Sequence, residues 1–367
     1  MCQLTCGFIG LGLIGGSIAR AFRQNFPDTF IVAYDVNREA LTLAKEEGII
    51  NMIAEGIDNS FRTCDYLFLC APVQKNDSNL EAVKKVLSQN CVLTDVGSVK
   101  TGIHEAVRQA GLEDYFIGGH PMAGSERVGF VNSKASLLEN AYYILTPSPT
   151  ISPDKVEDFR RLVVGLGAIP LILDCEKHDY VTAAISHLPH VVASSLVNLI
   201  REKDSNEGIM RMIAAGGFKD ITRIASSSPV MWQQICLTNK ENLSELLSLY
   251  ITTLTDFKEA IDQGDADGLY QRFDEARIYR DSFANASSGP IKRSFSINVD
   301  IADHAGALAH IVTLLAEQDL SIKNIAITHN RESEDGVLRV EFYREDSMEI
   351  GCELLTEAGY GVHVHRM

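Results

Sequence analysis

The chain has 367 residues and a formal net charge of −16, from 33 Lys plus Arg against 49 Asp plus Glu. This length allows two or three domains, each with an apolar core, and a content of 46% hydrophobic residues excludes a disordered chain. A surface this negative repels phosphate backbones and anionic lipid, so we expect neither nucleic acid nor a membrane as a partner.

Up to about Asp174, short apolar strands alternate with helical stretches. This βαβα order predicts an α/β domain of the Rossmann type over residues 1–174, with a parallel sheet wrapped by helices. We expect the main strands at TCGFIG, FIVAYD, YLFLCAP and CVLTDV, and the helices at LIGGSIARAFRQ, REALTLAKEEG, NLEAVKKVLSQ and IHEAVRQAG.

The strand signals disappear from Glu176 to about Phe283, where apolar residues recur at spacings of three and four. This pattern predicts an all-α domain over residues 175–284. A small, polar segment over residues 285–292 is typical of a linker. Residues 293–367 then follow the order strand, helix, strand, strand, helix, strand, which is the βαββαβ order of a ferredoxin-like domain.

The eight cysteines form no C-x-x-C pair, and several lie in apolar runs, so we expect buried thiols. No basic region precedes an apolar segment at the N-terminus, and we expect no uncharged apolar run to approach the ~18 residues that a membrane span needs. The compartment consistent with these features is a reducing cytoplasm.

A glycine-rich turn joins the first predicted strand to the first helix. In GFIGLGLIGGS, Gly10, Gly12 and Gly15 have the spacing G-x-G-x-x-G, which serves a tight turn, a close approach to a pyrophosphate and close helix packing. The pyrophosphate would bind backbone N–H groups at the helix N-terminus, where Leu13 and Ile14 lie. A Rossmann domain without a cofactor is the structural alternative.

Asp35 ends the next strand, twenty positions after Gly15. A carboxylate at this place accepts the hydroxyl groups of the adenosine ribose and repels the 2′-phosphate of NADP. The sequence therefore predicts NAD as the cofactor.

Three polar clusters lie where a substrate could meet the nicotinamide. LTDVGSVK carries Ser98 and Lys100 beyond a strand end, and GGHPMAGSERVG carries His120 in a stretch so rich in Gly and Pro that we expect a loop. The third cluster is split within the helical half, where SHLPH and GGFKDITRIA contribute His187, His190, Lys219, Asp220 and Arg223.

Each cluster has a structural alternative. Ser98 alone is typical of a helix cap, His120 before a proline can be a loop histidine, and Arg223 can pair with Asp220 on the surface.

The two histidines of SHLPH also raise the question of a metal. His187 and His190 would share one face of a helix, but Pro189 removes a backbone donor between them. Because no acidic or thiol ligand completes a set nearby, we predict no metal site.

Five motifs occur in order along the first two predicted domains: GFIGLGLIGGS, DVGSVK, GGHPMAGSE, SHLPH and GGFKDITRIA. Together they resemble the prephenate dehydrogenase family of tyrosine biosynthesis, which implies an all-α domain that binds substrate and forms a dimer. The C-terminal unit, with DHAGAL between its first strand and helix, is similar to an ACT domain, a module that binds amino-acid effectors.

The resemblance implies oxidation of prephenate at its ring carbinol by hydride transfer to NAD, with loss of carbon dioxide to give 4-hydroxyphenylpyruvate. By the family motifs, His120 is the base for the carbinol proton, and Ser98 orients His120 or the nicotinamide. His190 lines the substrate pocket, and Arg223 binds a substrate carboxylate in a bidentate pair.

The resemblance also places Ser125, Glu126 and Trp232 at the border of the pocket. Glu126 would control access, and Trp232 would reach in from a second subunit. The alternative for Trp232, the only tryptophan, is a core or interface aromatic.

Apolar stripes in VVASSLVNLI and LLSLYITTL exceed what the helical half can bury, and with the resemblance they predict a homodimer formed through that half. The resemblance further implies inhibition by L-tyrosine at an effector site formed by Asp303, Gly306, Leu308 and Asn324. A purely structural or dimerising module is the alternative for this unit. Two other functions stay open, namely arogenate oxidation, which gives tyrosine directly, and a catalytically inactive protein that senses NAD and amino acids.

Overall fold

A computed structural model describes residues 3–71, 73–124, 127–285, 295–301, 306–329 and 336–364. The chain divides into two compact units, Met1–Glu259 and Ala260–Met367. All but the first residue of the predicted linker 285–292 lies outside the described residues, and the predicted domain boundaries stay predictions.

An eight-stranded sheet forms the centre of the first unit, in the order β3-β2-β1-β4-β5-β6-β7-β8. Pairing is parallel from β3 through to β6, and four of these strands confirm the predicted ones. The strands are β1 (Thr5–Ile9), β2 (Phe30–Tyr34), β3 (Met52–Ile53), β4 (Tyr66–Leu69), β5 (Val92–Asp95), β6 (Phe116–Pro121), β7 (Tyr142–Pro147) and β8 (Ile169–Ile172).

Helices cover this sheet and bury apolar side chains on both of its faces. On one face the rings of Phe8 and Phe68 stack with centroids 4.9 Å apart, and Phe22 packs edge-on against both. The two cores confirm a Rossmann-like domain. They also hold in place the strand ends that carry the site residues. The helices are α1 (Leu13–Asn25), α2 (Arg38–Glu46), α3 (Val73–Val86), α4 (Thr101–Ala110) and α5 (Pro153–Gly165).

The sheet departs from the predicted all-parallel arrangement at β7, which pairs antiparallel with β6, while β8 runs parallel to β7. A parallel return needs a long crossover connection, usually a helix. The described residues between β6 and β7 contain only two short 3-10 turns, Phe130–Asn132 and Ala135–Leu137. The chain therefore reverses direction at this point.

The expectation that His120 lies on a loop is wrong, because it lies on β6, whose six residues are all buried. The glycines that suggested a loop serve close packing here. A Cβ added to Gly119 would lie 2.6 Å from the carbonyl oxygen of Asp95 on the neighbouring strand.

Helices account for the regular structure that follows the sheet, which confirms the all-α prediction for the described residues 175–285. A five-residue π-helical turn, Ala183–His187, separates the first two of them, and Pro189 lies in the first turn of the second. They are α6 (Cys175–Thr182), α7 (Leu188–Lys203), α8 (Ile209–Ile213), α9 (Gly216–Thr222), α10 (Pro229–Thr238), α11 (Lys240–Gln263) and α12 (Ala266–Asn285).

α6, the π-turn and α7 form one continuous helix, Cys175–Lys203, of 29 residues. Its mean hydropathy reaches 1.4 in an 18-residue window, of which 17% is buried, so it is long and apolar enough to cross a membrane by length and composition. The expectation of no such run is therefore wrong. The reason is that residues 180–200 contain no Asp, Glu, Lys or Arg.

The second unit ends in a separate four-stranded antiparallel sheet, with the order β10-β11-β9-β12. Ile297, Val299 and Leu338 lie in its core together with residues of both helices. The observed order confirms the predicted βαββαβ arrangement. Its elements are β9 (Phe295–Ile301), α13 (Ala307–Glu317), β10 (Ile322–His329), β11 (Gly336–Phe342), α14 (Glu345–Glu357) and β12 (Val362–Val364).

Candidate active site

The glycine-rich turn connects β1 to α1 with a geometry suited to a pyrophosphate. Gly10 has φ +95°, a conformation that favours glycine, and a Cβ there would lie 2.6 Å from the backbone nitrogen of Ala71. A Cβ on Gly15 would lie 2.7 Å from the carbonyl oxygen of Gly10, whereas a Cβ on Gly12 would meet no atom within 4 Å. Gly12 is thus the point where a ligand can approach the backbone.

The N-terminus of α1 carries no negative charge of its own. Gly12 is the N-cap, no side chain caps the helix, and its first turn has no acidic residue. The first N–H groups of a helix, here including those of Leu13 and Ile14, have no partner within the helix and favour an anion. These residues therefore fit the pyrophosphate of NAD.

Asp35 lies beside this turn, just after β2. Its carboxylate accepts hydrogen bonds from the backbone N–H of Leu11 at 2.5 Å and from that of Asn37 at 2.7 Å. Each carboxylate oxygen retains a further lone pair, so the group can still accept a ribose hydroxyl. Its position at the carboxyl edge of the sheet is the one expected from the sequence.

Ser98 lies half-buried between β5 and α4, at the same edge. α4 starts at Thr101, its N-cap is Lys100, and no side chain caps it, so Ser98 is not a helix cap. The register of β5 and β6 pairs Thr94 with Ile117, and continuing it places the residues after β5 alongside His120.

Lys100 is completely buried, which the sequence did not predict. Its Nζ lies 2.5 Å from Oδ2 of Asp95 and donates to the carbonyl oxygen of Gly119 at 2.8 Å. Burial lowers the pKa of Lys100 against the opposing effect of Asp95. The ammonium group thus joins the ends of β5 and β6 directly beside His120.

His120 is buried, and its Nδ1 lies 2.8 Å from Nε2 of His178. Burial lowers the pKa of His120 well below its usual value, and His178, Lys100 and His187 add to the effect. The imidazole is therefore neutral at pH 7 and can accept a proton.

His178 and Asp179, in the first turns of α6, extend this contact. Nδ1 of His178 lies 2.7 Å from Oδ1 of Asp179, and both side chains are completely buried. Asp179 also accepts hydrogen bonds from the backbone N–H groups of Lys100 and Thr101 and from the hydroxyl of Thr101, at 2.7, 2.8 and 2.6 Å. Burial alone would raise the pKa of Asp179, but the hydrogen bonds from His178, Thr101 and Lys100 hold it below its usual value.

The rings of both histidines of SHLPH contact the ring of Trp232. Burial lowers the pKa of His187 to about 4, and its Nδ1 lies 3.2 Å from Nδ2 of Asn239. His190 is half-buried, and its ring stacks on that of Trp232 with centroids 3.6 Å apart. Trp232 thus contacts His190 of its own chain, and a role across a dimer stays a prediction.

The other predicted residues have these positions. Arg223 begins a 3-10 turn, Arg223–Ser226, directly after α9, and it is exposed. In the C-terminal sheet domain, Gly306 is the N-cap of α13 with φ +92°, Leu308 is exposed, and Asn324 lies at a register shift in β10. Ser125, Glu126 and Asp303 lie outside the described residues.

The structure adds three polar residues that the sequence analysis did not single out, His178, Asp179 and Asn239. The available signal for the first two was a His–Asp pair in the first turns of α6, the helix that follows β8. Asn239 lies between α10 and α11, far along the chain, and no local motif marks it.

Two family models match the chain. "Prephenate dehydrogenase, nucleotide-binding domain" matches residues 18–170, and "Prephenate dehydrogenase, dimerization domain" matches residues 174–275. The prephenate dehydrogenase of Bacillus subtilis (strain 168) is 37% identical over 339 residues, which are 92% of this chain and 91% of that protein. The chain belongs to the prephenate dehydrogenase family.

Two solved structures of related enzymes are also similar. A prephenate dehydrogenase from A. aeolicus, in complex with hydroxyphenyl propionate and NAD⁺, is 32% identical, with a TM-score of 0.73 over 77% of this chain and 99% of that one. A Synechocystis arogenate dehydrogenase is 27% identical, with a TM-score of 0.68 over 76% of this chain and 100% of that one.

These similarities confirm the prephenate dehydrogenase family predicted from the five motifs. The second family model ends at residue 275, so neither model covers the C-terminal sheet domain. The observed βαββαβ order supports the ACT-like fold of that domain, whereas its effector stays a prediction.

Proposed function

We propose that the protein catalyses the NAD-dependent oxidative decarboxylation of prephenate to 4-hydroxyphenylpyruvate in tyrosine biosynthesis. The observation that carries this proposal is the placement of His120 on β6, three strands from the glycine turn on β1 in the same sheet. At the usual spacing of neighbouring strands, this separation is about 14 Å. A dinucleotide whose pyrophosphate binds the turn can extend its nicotinamide along the sheet edge towards this histidine.

His120 serves as the base. Bound NAD supplies the hydride acceptor. As the hydride leaves the ring carbon, His120 takes the proton of the carbinol hydroxyl, and a neutral imidazole suits this task. The ring carboxylate then leaves as carbon dioxide, its electron pair aromatises the ring, and the oxygen recovers a proton as the phenol. Protons and electrons therefore balance with one NADH formed.

The remaining predicted residues bind and orient. Arg223 binds a substrate carboxylate through its guanidinium, and His190, held by the stack on Trp232, lines the substrate pocket. Ser98 orients the nicotinamide or His120 at the end of β5. Ser125 and Glu126 border the pocket by the family motif.

Asp35 favours NAD over NADP. Its carboxylate is fixed by two backbone hydrogen bonds beside the turn, where it repels a 2′-phosphate and accepts a free 2′-hydroxyl.

A homodimer covers the exposed apolar surface of the helical half. In one chain, Leu199 of α7 and Leu249, Ile251 and Leu254 of α11 are about half exposed, as the stripes in the sequence predict. The match of residues 174–275 to a dimerization domain supports this assembly. We propose that a second copy, rather than lipid, covers the helix 175–203 and that the enzyme works in the cytoplasm.

The C-terminal sheet domain serves as the regulatory domain, with L-tyrosine as its effector near Gly306 and Asn324. Its βαββαβ order and the similarity of this unit to an ACT domain support the assignment. Deleting the chain from Gly289 onward tests it, because the truncated enzyme should keep NADH formation and lose inhibition by tyrosine. Inhibition that survives the deletion would place the tyrosine site elsewhere.

The experiment that tests the activity follows NADH formation from prephenate and from arogenate, each with and without tyrosine. We expect turnover with prephenate. Arogenate oxidation is the second candidate, because the similar Synechocystis enzyme is an arogenate dehydrogenase. Preferential turnover of arogenate would make arogenate the substrate instead of prephenate. No turnover of either compound would favour a catalytically inactive protein that senses NAD.

A further inference from the structure

We infer that Asp179 fixes the proton positions of two histidines in the site, so that His120 presents a bare nitrogen while His187 presents an N–H group. The carboxylate of Asp179 acts on His120 through His178, whereas the backbone carbonyl of Asp179 orients Asn239, which acts on His187. This inference rests on the proposed role of His120 as the base. It assigns positioning roles to His178, Asp179 and Asn239.

The carboxylate of Asp179 determines the first proton. Backbone N–H groups can only donate, and those of Lys100 and Thr101 point at Oδ1 and Oδ2 respectively. Both oxygens therefore act as acceptors, and because the hydrogen bonds around Asp179 hold its pKa below the usual value, the carboxylate stays ionised. Nδ1 of His178, 2.7 Å from Oδ1, must then carry a proton.

The contact between His178 and His120 then determines which nitrogen of His120 carries the proton. In a neutral His178 with its proton on Nδ1, Nε2 has only a lone pair. Nδ1 of His120 lies 2.8 Å from that Nε2, so this nitrogen must carry the proton of the His120 ring. With both rings neutral, no other arrangement satisfies both contacts. Nε2 of His120 is left unprotonated, as a base requires.

Asn239 transmits the backbone position of Asp179 to His187. Nδ2 of Asn239 donates to the carbonyl oxygen of Asp179 at 2.8 Å, and Oδ1 of Asn239 accepts from Asn242 at 2.8 Å, so the amide orientation is fixed. The second hydrogen of Nδ2 points to Nδ1 of His187 at 3.2 Å. Because that ring nitrogen accepts, the proton of a neutral His187 is on Nε2.

The π-turn, Ala183–His187, lies between the two groups that Asn239 contacts. A π-turn inserts one extra residue, which rotates the side chains that follow, and His187 is the last residue of this turn. One amide, Asn239, contacts both the backbone carbonyl of Asp179 before the turn and the ring of His187 at its end.

The two histidines therefore have complementary groups. Nε2 of His120 can accept the proton of the carbinol, whereas Nε2 of His187 carries an N–H group that can donate. A site with two interchangeable tautomers would spend part of its time with the wrong proton arrangement.

Long-range proton–nitrogen NMR of the isotope-labelled histidine rings tests this inference on the full chain without substrate. Single His→Gln variants assign the signals of His120 and His187. We expect the Nδ1–H tautomer for His120 and the Nε2–H tautomer for His187. The opposite tautomer at either ring in the parent enzyme overturns the inference, even if no further variant folds.

Two isosteric variants test the two paths separately. Asp179→Asn affects the path through His178 to His120, and Asn239→Asp affects the path through Asn239 to His187. In Asp179→Asn, the side chain loses the charge that holds the proton on Nδ1 of His178, so the population of the Nε2–H form of His120 should rise while His187 keeps its tautomer. In Asn239→Asp, a carboxylate facing His187 should draw a proton to its Nδ1 while His120 keeps its tautomer. Thr101→Ala, which removes only the hydroxyl bond to Asp179, should change neither ring.

Unchanged tautomers in both isosteric variants would overturn the roles of Asp179 and Asn239. For kcat we expect a loss of up to about 10⁴-fold in Asp179→Asn, the size found when an Asp–His pair loses its tautomer control. An unchanged kcat in His120→Ala would instead refute the proposed role of His120 as the base and leave the tautomer result intact, so the two failures are distinguishable.

Discussion

Gly12 offers a substitution that separates cofactor binding from folding. A Cβ at this position would meet no protein atom within 4 Å, and Gly12 has φ −82°, which any residue adopts. The variant Gly12→Ala therefore fits the fold. The added methyl group occupies the space through which the pyrophosphate approaches the N-terminus of α1.

The expected magnitudes follow from this geometry. Alanine is a poorer N-cap than glycine by up to about 1 kcal/mol, and the reduced freedom of the unfolded chain offsets about 0.4–1 kcal/mol. The free energy of unfolding should therefore stay within about 1 kcal/mol of the parent. Loss of one hydrogen bond to a charged phosphate costs about 1.5–3 kcal/mol, which raises the Kd for NAD by about 10- to 150-fold.

Two matched glycines make the comparison specific. Gly15→Ala places a Cβ 2.7 Å from the carbonyl oxygen of Gly10, and this overpacking should lower the free energy of unfolding by about 1–3 kcal/mol. Gly102→Ala, at an exposed site in α4 with no atom within 4 Å, should raise the free energy of unfolding by about 0.4–1 kcal/mol and leave the Kd for NAD unchanged.

The assay combines denaturant unfolding without nucleotide and titration of NAD by calorimetry. The reasoning is refuted if Gly12→Ala binds NAD as tightly as the parent. It is equally refuted if Gly12→Ala loses as much stability as Gly15→Ala, because the loss of binding would then reflect misfolding.

Four further outcomes are expected. His120→Ala should lower kcat by about 10²- to 10⁴-fold in the NADH assay with NAD affinity unchanged, and an unchanged kcat would remove it as the base. Arg223→Ala should chiefly raise the KM for prephenate, because it removes binding shared by ground and transition states, and an equal KM would reassign that arginine. Asp35→Ser should improve turnover with NADP relative to NAD, whereas a parent enzyme that already uses both equally would contradict the role of Asp35. Burial lowers the pKa of His187 to about 4 in the folded state, so the unfolded chain protonates this histidine at a higher pH than the folded chain does. The free energy of unfolding should therefore fall as the pH drops below 6.5. The loss from this group between pH 6.5 and pH 5 is about 1.5 kcal/mol, and denaturant unfolding of His187→Gln should show a pH dependence smaller by that amount.

The sequence predicted the sheet domain well because its signals are local. A glycine turn between an apolar strand and a helix, followed by Asp35 at the next strand end, has few structural interpretations. The order βαββαβ of the C-terminal domain is likewise visible as a change between two periodicities.

The predictions failed where neighbours that are distant in the sequence decide the outcome. Gly118 and Gly119 suggested a loop, but they are buried between β5 and β7, and this packing makes β6 a strand. The reversal at β7 depends on a connection without a crossover helix, which no single-residue preference marks. The apolar helix 175–203 is an exception, because its signal is local: residues 180–200 contain no Asp, Glu, Lys or Arg.

The site residues likewise divide into those that a local motif marks and those that only tertiary contacts bring together. His120, Ser98 and Arg223 were predicted through motifs, since each lies in a run with a family resemblance, and their roles stay predictions. Asp179 contacts Thr101 and His178 contacts His120 across 78 and 58 residues of chain, and Asn239 contacts Asp179 across 60. Such contacts follow only from the tertiary packing of α6 against the ends of β5 and β6.

The most direct test of the account is a product analysis of the purified enzyme with prephenate and NAD, beside His120→Asn. The account predicts equal amounts of NADH, carbon dioxide and 4-hydroxyphenylpyruvate from the parent, with a rate at least about 10²-fold lower in the variant. Equal rates of NADH formation by the parent and the variant, or no NADH from prephenate with the parent, would contradict it.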